Sequence, residues 1–340
     1  MRIIHFISSD KISGLEILSM NILRSLSKEH EVYYSCPDGE GIRFADELGL
    51  GTIVCDTRSV NDIKRVCSEY KPDVVHAHDP AVSFTCALAG IKYISHLHNN
   101  CLWLKKICAN SIALLAVCKK ATKIICVSHS IVDEYVFKKS LIKKATVISN
   151  YVDKEVVIKN ASVPLDESYD ISFVGRFTDQ KQPFLFVDLI EKIKNTKNDI
   201  KAVMVGEGEM YDDIKKCISE KGLEDNIILA GFDKNPHKYV NASKVGVLTS
   251  KYEGFGLVAV EAMSLGKPFI AFPVGGLVNI VNDSNGKLCS DTDEMSDEIV
   301  MLLGDAEYYN SKSRGAKESA EKYTNREAYI GKILEIYKSL

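Results

Sequence analysis

The sequence predicts an α/β protein with two domains, each built on a doubly wound parallel sheet. The chain has 340 residues, which is enough for two domains with separate cores. Short β-branched runs alternate with helical stretches along nearly the whole chain, as they do in parallel α/β sheets. This alternation stops near residue 150 and begins again near residue 170. The interruption predicts a boundary between two domains, which we place at 1–155 and 156–325.

The individual strands follow from the β-branched and apolar runs. Seven are predicted before the interruption, at residues 2–7, 31–35, 52–54, 73–76, 92–97, 123–127 and 145–148. An irregular linker is predicted from residue 150 to residue 169. Six further strands are predicted at residues 170–174, 200–205, 227–229, 244–248, 268–272 and 287–289. Ligands of such sheets bind at the carboxyl ends of the strands, so we look for the site there.

Composition is that of a soluble globular protein, with 46% hydrophobic and 26% charged residues. A net charge of −3 gives no reason to expect nucleic acid as a partner. No apolar run approaches the roughly 20 residues that span a bilayer, and the start of the chain reads as a strand and not as a signal peptide. None of the ten cysteines has CxxC spacing, so we expect buried free thiols. These features predict a cytoplasmic protein.

The segment Lys251 to Met263 carries the most specific pattern. Glu253 and Glu261 bracket a turn, Gly254-Phe255-Gly256-Leu257, and a helix-favouring run follows. A helix N-terminus presents free N–H groups and the positive end of its dipole to an anion. The two carboxylates could accept hydrogen bonds from sugar hydroxyls. A short glycine motif is also common at ordinary loop-to-helix junctions.

Two cations lie just beyond the first strand of the second half, Arg176 and Lys181. An enzyme without a metal must neutralise the charge of a leaving diphosphate with positioned cations. Arginine can engage two phosphate oxygens, and lysine acts as a point charge. In the first half, Gly14 opens a helix after the first strand, where a diphosphate could lie against the backbone. A solvated surface turn is an equally good interpretation there, and no GxGxxG motif is present.

Histidines form two HxH pairs, His76 with His78 and His96 with His98. Imidazole is a common zinc ligand, and alternate residues of a strand share a face. No closed set of three or four ligands is evident from the sequence, however, and no DxD-type motif is present. We therefore predict no metal site and no cofactor.

These elements together resemble the retaining, nucleotide-sugar-dependent glycosyltransferases of family 4, which have the GT-B fold. Glu253 and Glu261 match the E-x7-E signature, and Gly175, Arg176 and Lys181 match a G-R-x4-K element. The resemblance implies two Rossmann-like domains that face each other across a cleft. It also implies that a last helix, residues 326–340, crosses back to the first domain.

The resemblance further implies transfer of a sugar from a nucleotide diphosphate donor, most plausibly UDP-linked, to a hydroxyl of a glycan or lipid-linked acceptor. The donor binds mainly the second domain and the acceptor the first. His98, Arg176, Lys181 and Glu253 are the implied catalytic residues, and His76 and His78 are interpreted as structural support. The implied substrate-binding residues are Gly14, Glu207, Phe232, Gly254, Phe255, Gly256, Leu257 and Glu261.

Some points of this comparison stay open. Relatives often have a Gly-Gly pair where this chain has Ser13-Gly14, and Phe232 could equally be a packing residue. Cell-surface polysaccharide or lipopolysaccharide synthesis is implied by analogy alone. A non-hydrolysing UDP-sugar epimerase of the same fold is an alternative function, as is a nucleotide-sugar binding module without turnover. A product assay with and without an acceptor separates all three.

One stretch of the first half is strongly basic. Residues 92–144 contain ten lysines against Asp133 and Glu134, a net charge of +8. Within it, residues 101–123 mix seven large apolar residues with lysines, and Trp103 lies near the start. This predicts a basic amphipathic helix and peripheral docking on an anionic membrane surface. A buried domain helix with solvated lysines is the alternative.

Overall fold

The computed structural model describes residues 1–340, which form two compact units. The first unit comprises residues 1–150 together with 326–340, and the second comprises residues 151–325. Each unit is built on its own parallel sheet, with seven strands in the first and six in the second. The predicted α/β class with two doubly wound domains is therefore confirmed. All thirteen predicted strands are present, each displaced by no more than a few residues.

The first sheet has the strand order β3-β2-β1-β4-β5-β6-β7. Its direction of growth reverses between β1 and β4, which makes this the topological switch point. The strands are β1 Arg2–Ile7, β2 Glu31–Cys36, β3 Gly51–Val54, β4 Val74–His78, β5 Ile94–Leu97, β6 Lys123–Cys126 and β7 Ala145–Val147. The helices between them are α1 Gly14–Leu26, α2 Glu40–Glu47, α3 Val60–Tyr70, α4 Pro80–Ala89, α5 Ala109–Lys120, α6 His129–Glu134 and α7 Lys138–Ile142, with a 3-10 helix at Leu102–Lys105.

The second sheet has the order β10-β9-β8-β11-β12-β13, with its switch point between β8 and β11. Its strands are β8 Tyr169–Val174, β9 Ala202–Val205, β10 Ile227–Gly231, β11 Ser243–Leu248, β12 Phe269–Ala271 and β13 Gly286–Leu288. Its helices are α8 Lys154–Ala161, α9 Pro183–Lys194, α10 Tyr211–Glu220, α11 His237–Asn241, α12 Leu257–Ser264, α13 Leu277–Ile280, α14 Thr292–Gly304 and α15 Ala306–Ala320, followed by a 3-10 turn at Glu321–Tyr323.

The last helix, α16 at Arg326–Lys338, is part of the first unit. Its Tyr337 hydroxyl lies 2.9 Å from Nε2 of His5 on β1. Nε of Arg326 donates to the hydroxyl of Ser25 on α1 at 3.0 Å. The chain thus returns to its first sheet after completing the second unit.

The irregular linker predicted at residues 150–169 is wrong in part, because it contains helix α8. The β-branched residues of this segment obscure the helical pattern, but Asp153 provides a cap. Its carboxylate accepts a hydrogen bond from the amide of Val156 at 3.3 Å, which satisfies one free N–H of the first turn. The division between the units falls after Asn150, five residues before the predicted boundary at 155.

The single amphipathic helix predicted over residues 101–123 is also wrong. The segment forms the 3-10 helix, a short loop and α5, and it ends in β6. Leu104 of the 3-10 helix and Leu114 and Val117 of α5 are buried in the first unit, where α5 packs against α4 and α7 as a domain helix. No helix of the chain combines the length and the apolar character needed to cross a membrane.

Candidate functional site

Two loops meet at the switch point of the second sheet. One follows β8 and contains residues 175–182, and the other follows β11 and contains residues 249–256. The Lys251 amide donates to the Gln180 carbonyl at 2.8 Å, and the Gln180 side-chain amide donates to the Tyr252 carbonyl at 3.1 Å. The Thr249 hydroxyl lies 3.0 Å from the Lys181 carbonyl. These bonds fix the two loops against each other.

Lys181 and Glu253 form an ion pair across these loops. Nζ of Lys181 lies 2.5 Å from Oε1 of Glu253, and the two side chains are only 15% and 8% exposed. The lysine stem passes over Gly175, where an added Cβ would lie 3.4 Å from Cε of Lys181. Arg176 is exposed on the same loop. The predicted cations and the predicted sugar-binding carboxylate therefore lie together at one sheet edge.

The turn before α12 has the backbone that its glycines predict. Gly256 has φ of 103°, a left-handed conformation that glycine adopts without strain. The amides of Phe255, Gly256 and Leu257 donate to no backbone carbonyl. Gly254, Phe255 and Gly256 are buried, and α12 begins at Leu257. Free N–H groups at the start of a helix are suited to binding an anion.

Sequence reasoning missed two glycines that support this turn, Gly275 and Gly276. A Cβ on Gly275 would lie 1.6 Å from the carbonyl oxygen of Glu253, and one on Gly276 would lie 2.5 Å from that of Phe255. Only glycine permits this approach, because any side chain would push the Glu253 backbone away. The Gly-Gly pair after β12 was the available sequence signal.

Glu261 lies on α12, slightly more than one turn beyond the start of the helix, and faces a residue that the sequence analysis did not identify. Oε2 of Glu261 lies 3.7 Å from Nε2 of His237, the first residue of α11. The His237 side chain is 12% exposed, and its Nε2 forms no hydrogen bond. Its Nδ1 lies 3.4 Å from the side-chain amide nitrogen of Asn160. His237 thus lies where it can orient the Glu261 carboxylate.

The glycine-rich loop after β9 packs directly on the loop that carries Arg176. A Cβ on Gly206 would lie 2.0 Å from the Gly175 carbonyl oxygen, so the two loops can approach this closely only with glycine at position 206. The Phe177 amide donates to the Glu207 carbonyl at 2.9 Å. The side chain of Glu207 is exposed, and Phe232, which follows β10, is 58% exposed. An exposed Phe232 does not serve as core packing, so its predicted contact with a base stays open.

In the first unit, Gly14 is the exposed first residue of α1. The hydroxyl of Ser13 donates to Oε2 of Glu16 at 2.5 Å. Glu16 is buried, and its burial raises the pKa of its carboxyl above the ordinary value. Sequence reasoning did not single out Glu16. A buried carboxyl with a raised pKa beside the Gly14 turn marks this end of α1 as a candidate ligand-binding edge.

His98 follows β5 and belongs to a buried cluster of five histidines. The others are His5 on β1, His76 and His78 on β4, and His96 on β5. Strand register places His5 beside His76 and His78 beside His96, so all of them project from one face of the sheet. Burial lowers the pKa of His5 and of His98 to about 3, and holds the pKa of the other three well below the ordinary value. All five are therefore neutral at neutral pH.

The fold brings together histidines that form no evident closed set in the sequence. Ring nitrogens of His5, His76 and His78 lie within 4.8 Å of one another, and so do those of His78, His96 and His98. His76 and His78 both lie within β4. Adjacent strands bring the pairs together, which their separation along the sequence could not reveal.

Comparison with known families decides the identity of the chain. Residues 12–156 match the model of Glycosyltransferase Family 4, and residues 157–319 match that of Glycosyl transferases group 1. The chain belongs to the family 4 glycosyltransferases. The two matches meet near the boundary between the structural units, and between them they contain every predicted site residue.

Individual relatives of this glycosyltransferase are distant but extend over most of its length. It is 25% identical over 301 residues to the N-acetyl-α-D-glucosaminyl L-malate synthase of Bacillus anthracis, covering 83% of this chain and 78% of that protein. It is 25% identical over 319 residues to the UDP-Gal:α-D-GlcNAc-diphosphoundecaprenol α-1,3-galactosyltransferase of Escherichia coli, covering 84% and 80%.

Solved structures share the whole fold. The crystal structure of HepE from Anabaena in complex with UDP-glucose is similar over 100% of both chains, with a TM-score of 0.87 and 19% identity. At this identity the likeness shows the GT-B fold alone. The predicted GT-B fold of the glycosyltransferase is thereby confirmed.

Proposed function

We propose that this glycosyltransferase moves a sugar from a UDP-sugar donor to an acceptor hydroxyl with retention of the anomeric configuration. The observation that carries the proposal is the contact of Lys181 with Glu253 beside the exposed Arg176, at the switch point of the second sheet. This edge combines cations for a diphosphate, free amides at the start of α12 and a carboxylate for sugar hydroxyls. A UDP-sugar requires all three kinds of group.

In this proposal Lys181 changes partner when the donor binds. In the structure described here the Glu253 carboxylate compensates its charge. A diphosphate placed between Arg176 and the amides of residues 255–257 offers Lys181 a second anion. Glu253 then has free oxygens with which to accept from hydroxyls of the donor sugar. Two cations and three amides supply the positive charge that stabilises the leaving diphosphate, so we propose that no metal takes part.

Glu261 has a separate role in the proposal, at the ribose of the nucleotide. It lies on α12 beyond the residues that would bind the diphosphate, and His237 lies beside its carboxylate. Carboxylates commonly bind ribose hydroxyls in nucleotide sites of this sheet type. Glu207 and Phe232 lie at the ends of the neighbouring strands, and we propose that Phe232 lines the base pocket.

Retention could arise through a covalent sugar–enzyme intermediate. It could also arise if the acceptor hydroxyl attacks the same face of the sugar from which the leaving group departs. The first route needs a carboxylate close beneath the anomeric carbon. In the proposal the oxygens of Glu253, once released by Lys181, accept from hydroxyls of the donor sugar, which leaves no carboxylate assigned to that position. We therefore propose same-face attack, in which an oxygen of the departing phosphate takes the proton of the acceptor hydroxyl. The protein contributes positioning and electrostatic stabilisation, and His98 contacts the donor sugar or its phosphate.

We propose a glycan or lipid-linked acceptor and a place in cell-surface polysaccharide or lipopolysaccharide synthesis. The name of the Escherichia coli relative, which acts on a sugar-diphosphoundecaprenol, supports the acceptor class. The name of the Bacillus anthracis relative, whose product contains L-malate, shows that another hydroxyl compound must be included among the acceptors tested.

We also propose that the first unit docks on anionic membranes. The support comes from three exposed apolar side chains around the start of α5. Leu102 is 39% exposed, Ile107 is 71% exposed and Ile112 is 54% exposed. Lys105 and Lys106 lie between them and are exposed as well. Exposed apolar residues flanked by lysines fit the interface of a bilayer with anionic headgroups.

The experiment that tests the transferase proposal is a donor screen followed by a product assay. UDP, UDP-glucose, UDP-galactose and UDP-N-acetylglucosamine are compared by thermal shift, since a ligand that binds the native state raises Tm. The best donor is then incubated with and without undecaprenyl-diphosphate-sugar and malate acceptors, and NMR assigns the anomeric configuration of the product. A new sugar isomer without acceptor indicates an epimerase. Binding without any product indicates a binding module, and an inverted product rules out retention.

A further inference from the structure

The histidine cluster of the first unit is a branched chain of ring contacts that begins at one hydroxyl, that of Tyr337. One branch runs from this hydroxyl to Nε2 of His5 at 2.9 Å. Nδ1 of His5 then lies 3.0 Å from Nε2 of His78, and Nδ1 of His78 lies 3.0 Å from Nε2 of His98. Nδ1 of His98 is buried and has no hydrogen-bond partner. The branch thus ends at the predicted catalytic histidine.

The second branch begins at the same hydroxyl. The Tyr337 oxygen lies 2.6 Å from Nδ1 of His76, and Nε2 of His76 lies 3.1 Å from Nδ1 of His96. Nε2 of His96 is buried and has no partner. Both branches therefore connect Tyr337, on the last helix, to a ring nitrogen with an unused hydrogen-bonding position.

These contacts form hydrogen-bond chains and not a metal site. A metal requires that the lone pairs of its ligands converge on one point, about 2.0–2.1 Å from each nitrogen for zinc. Here the nitrogens of neighbouring rings are directed at one another at hydrogen-bond distance, so a lone pair on one ring faces an N–H on the next. Burial keeps all five rings neutral, so each ring carries one N–H and one lone pair.

Counting protons along the chains gives a strict result. Tyr337 has one hydroxyl proton, so it can donate to His5 or to His76 but not to both. If it donates to His5, every contact of that branch requires the proton on Nδ1, and His76 must donate its own Nδ1–H to the tyrosine oxygen. His96 then also carries its proton on Nδ1. If Tyr337 donates to His76, all five rings carry the proton on Nε2.

We propose that Tyr337 is a positioning residue that sets the tautomer of His98 through His5 and His78, and that all five histidines share one tautomer. In the remaining arrangement both His5 and His76 donate to the Tyr337 oxygen. The buried Tyr337 O–H then has no acceptor among the histidines, which disfavours this arrangement. The catalytic consequence rests on the proposed function. A His98 that donates to a phosphate or sugar oxygen through Nδ1–H requires the state with all protons on Nδ1.

Ser19 does not change this count. Its hydroxyl lies 2.9 Å from Nδ1 of His5. A serine hydroxyl can donate or accept by rotation, so it fits either tautomer of His5. The choice therefore depends on the Tyr337 proton.

The test is long-range ¹H–¹⁵N correlation NMR on protein labelled with ¹⁵N-histidine, which reports which ring nitrogen carries the proton. We expect one shared tautomer for the five buried rings in the wild type, and the Nδ1–H form of His98 after addition of UDP-glucose. In Tyr337→Phe the branches lose their common partner, so the tautomers of His96 and His98 become independent. Mixed tautomers in the wild type, with Nδ1–H on His96 and Nε2–H on His98, overturn the proposal.

Tyr93→Phe is the matched control, because Tyr93 is fully buried in the same unit and its hydroxyl has no partner. It should keep the wild-type tautomers. In the UDP-release assay with UDP-glucose we expect Tyr337→Phe to lower kcat by about 10- to 100-fold, the scale for loss of a group that orients a functional histidine, with little change in KM. Unchanged kcat overturns the catalytic part. Full activity of His98→Ala instead contradicts the proposed function and leaves the tautomer result standing.

Discussion

Lys181 and Glu253 form a largely buried ion pair whose Nζ and Oε1 atoms lie 2.5 Å apart. The pair joins the loop after β8 to the loop after β11. Without a donor present, each of the two charges is neutralised by the other. A charge left alone in such a place is costly, because little water remains to solvate it. Loss of one partner alone should therefore lower stability as well as affect the proposed chemistry.

Replacing Lys181 or Arg176 by alanine should lower turnover by at least about 100-fold, the scale of losing one group that stabilises charge in the transition state. Steady-state assays on variants shown to be folded by circular dichroism test this. Near-normal kcat in both variants contradicts the diphosphate assignment. EDTA should leave wild-type activity intact, and a complete loss that metal ions restore would reveal a metal requirement.

The ion pair should show a non-additive effect on stability. Lys181→Met leaves the Glu253 carboxylate unpaired and should lower the free energy of unfolding by about 3 kcal/mol. The double variant Lys181→Met/Glu253→Leu should recover most of this loss, because it leaves no buried charge. Urea unfolding of the wild type and the two variants gives both values. A double variant that is less stable than the single one would show that the pair contributes favourably beyond mutual compensation.

The two glutamates should differ in which ligand they affect. Glu261→Ala should weaken binding of both UDP and UDP-glucose, since the ribose is present in each. Glu253→Ala should weaken chiefly UDP-glucose. Removing the carboxylate that pairs with a buried ligand hydroxyl should weaken the binding free energy by about 1–3 kcal/mol. Isothermal titration calorimetry resolves a difference of this size. His237→Ala should follow the pattern of Glu261, because it contacts that carboxylate. Equal losses for both ligands in both glutamate variants would remove this division of roles.

The buried histidines should make the fold sensitive to acid. Their pKa values in the folded state are lowered, to about 3 for His5 and His98, against 6.5 in the unfolded chain. Below pH 6.5 the unfolded chain binds protons that the folded chain does not, so stability falls as pH falls through this range towards 3. Each such histidine contributes about 1.4 kcal/mol per pH unit well below 6.5. Urea unfolding measured from pH 7.5 to pH 5 tests this.

A matched pair of variants isolates this effect. His96 is buried in the cluster, whereas His129 is exposed at the start of α6. His96→Gln should reduce the dependence of unfolding free energy on pH, and His129→Asn should leave it unchanged. A flat stability profile of the wild type between pH 7 and pH 5 would show that the histidines do not stay neutral in the fold.

Membrane docking should depend on the residues around the start of α5. Wild-type protein should co-sediment with vesicles containing phosphatidylglycerol at low salt, and added salt should release it. Ile107→Ser/Ile112→Ser and Lys105→Glu/Lys106→Glu should each weaken binding. Leu88→Ser is the control, because Leu88 is 60% exposed in the same unit but lies outside the basic stretch. Wild-type protein that stays in the supernatant under these conditions is not a membrane-docking protein.

Patterns within one segment were readable from the sequence. The alternation of strands and helices predicted both sheets, because hydrophobic periodicity is a local property of the chain. The E-x7-E string predicted that Gly256 lies in a tight turn before a helix, and its φ of 103° agrees. Where local signals conflict the prediction was wrong. The β-branched residues of α8 outweighed the Asp153 cap, and the apolar Leu114 and Val117 of α5 are buried in the domain.

Contacts between distant segments were decided only by the tertiary structure. Lys181 and Glu253 are 72 residues apart, and Tyr337 meets His76 across 261 residues. The order of strands in each sheet brings such residues together, and that order is not encoded in the pattern of any single segment. For the same reason the pairing of His237 with Glu261, and the packing of Gly275 on Glu253, could not be read from the chain. The sequence alone determined which chemical groups stand at the ends of the strands, and the fold determined which of them meet.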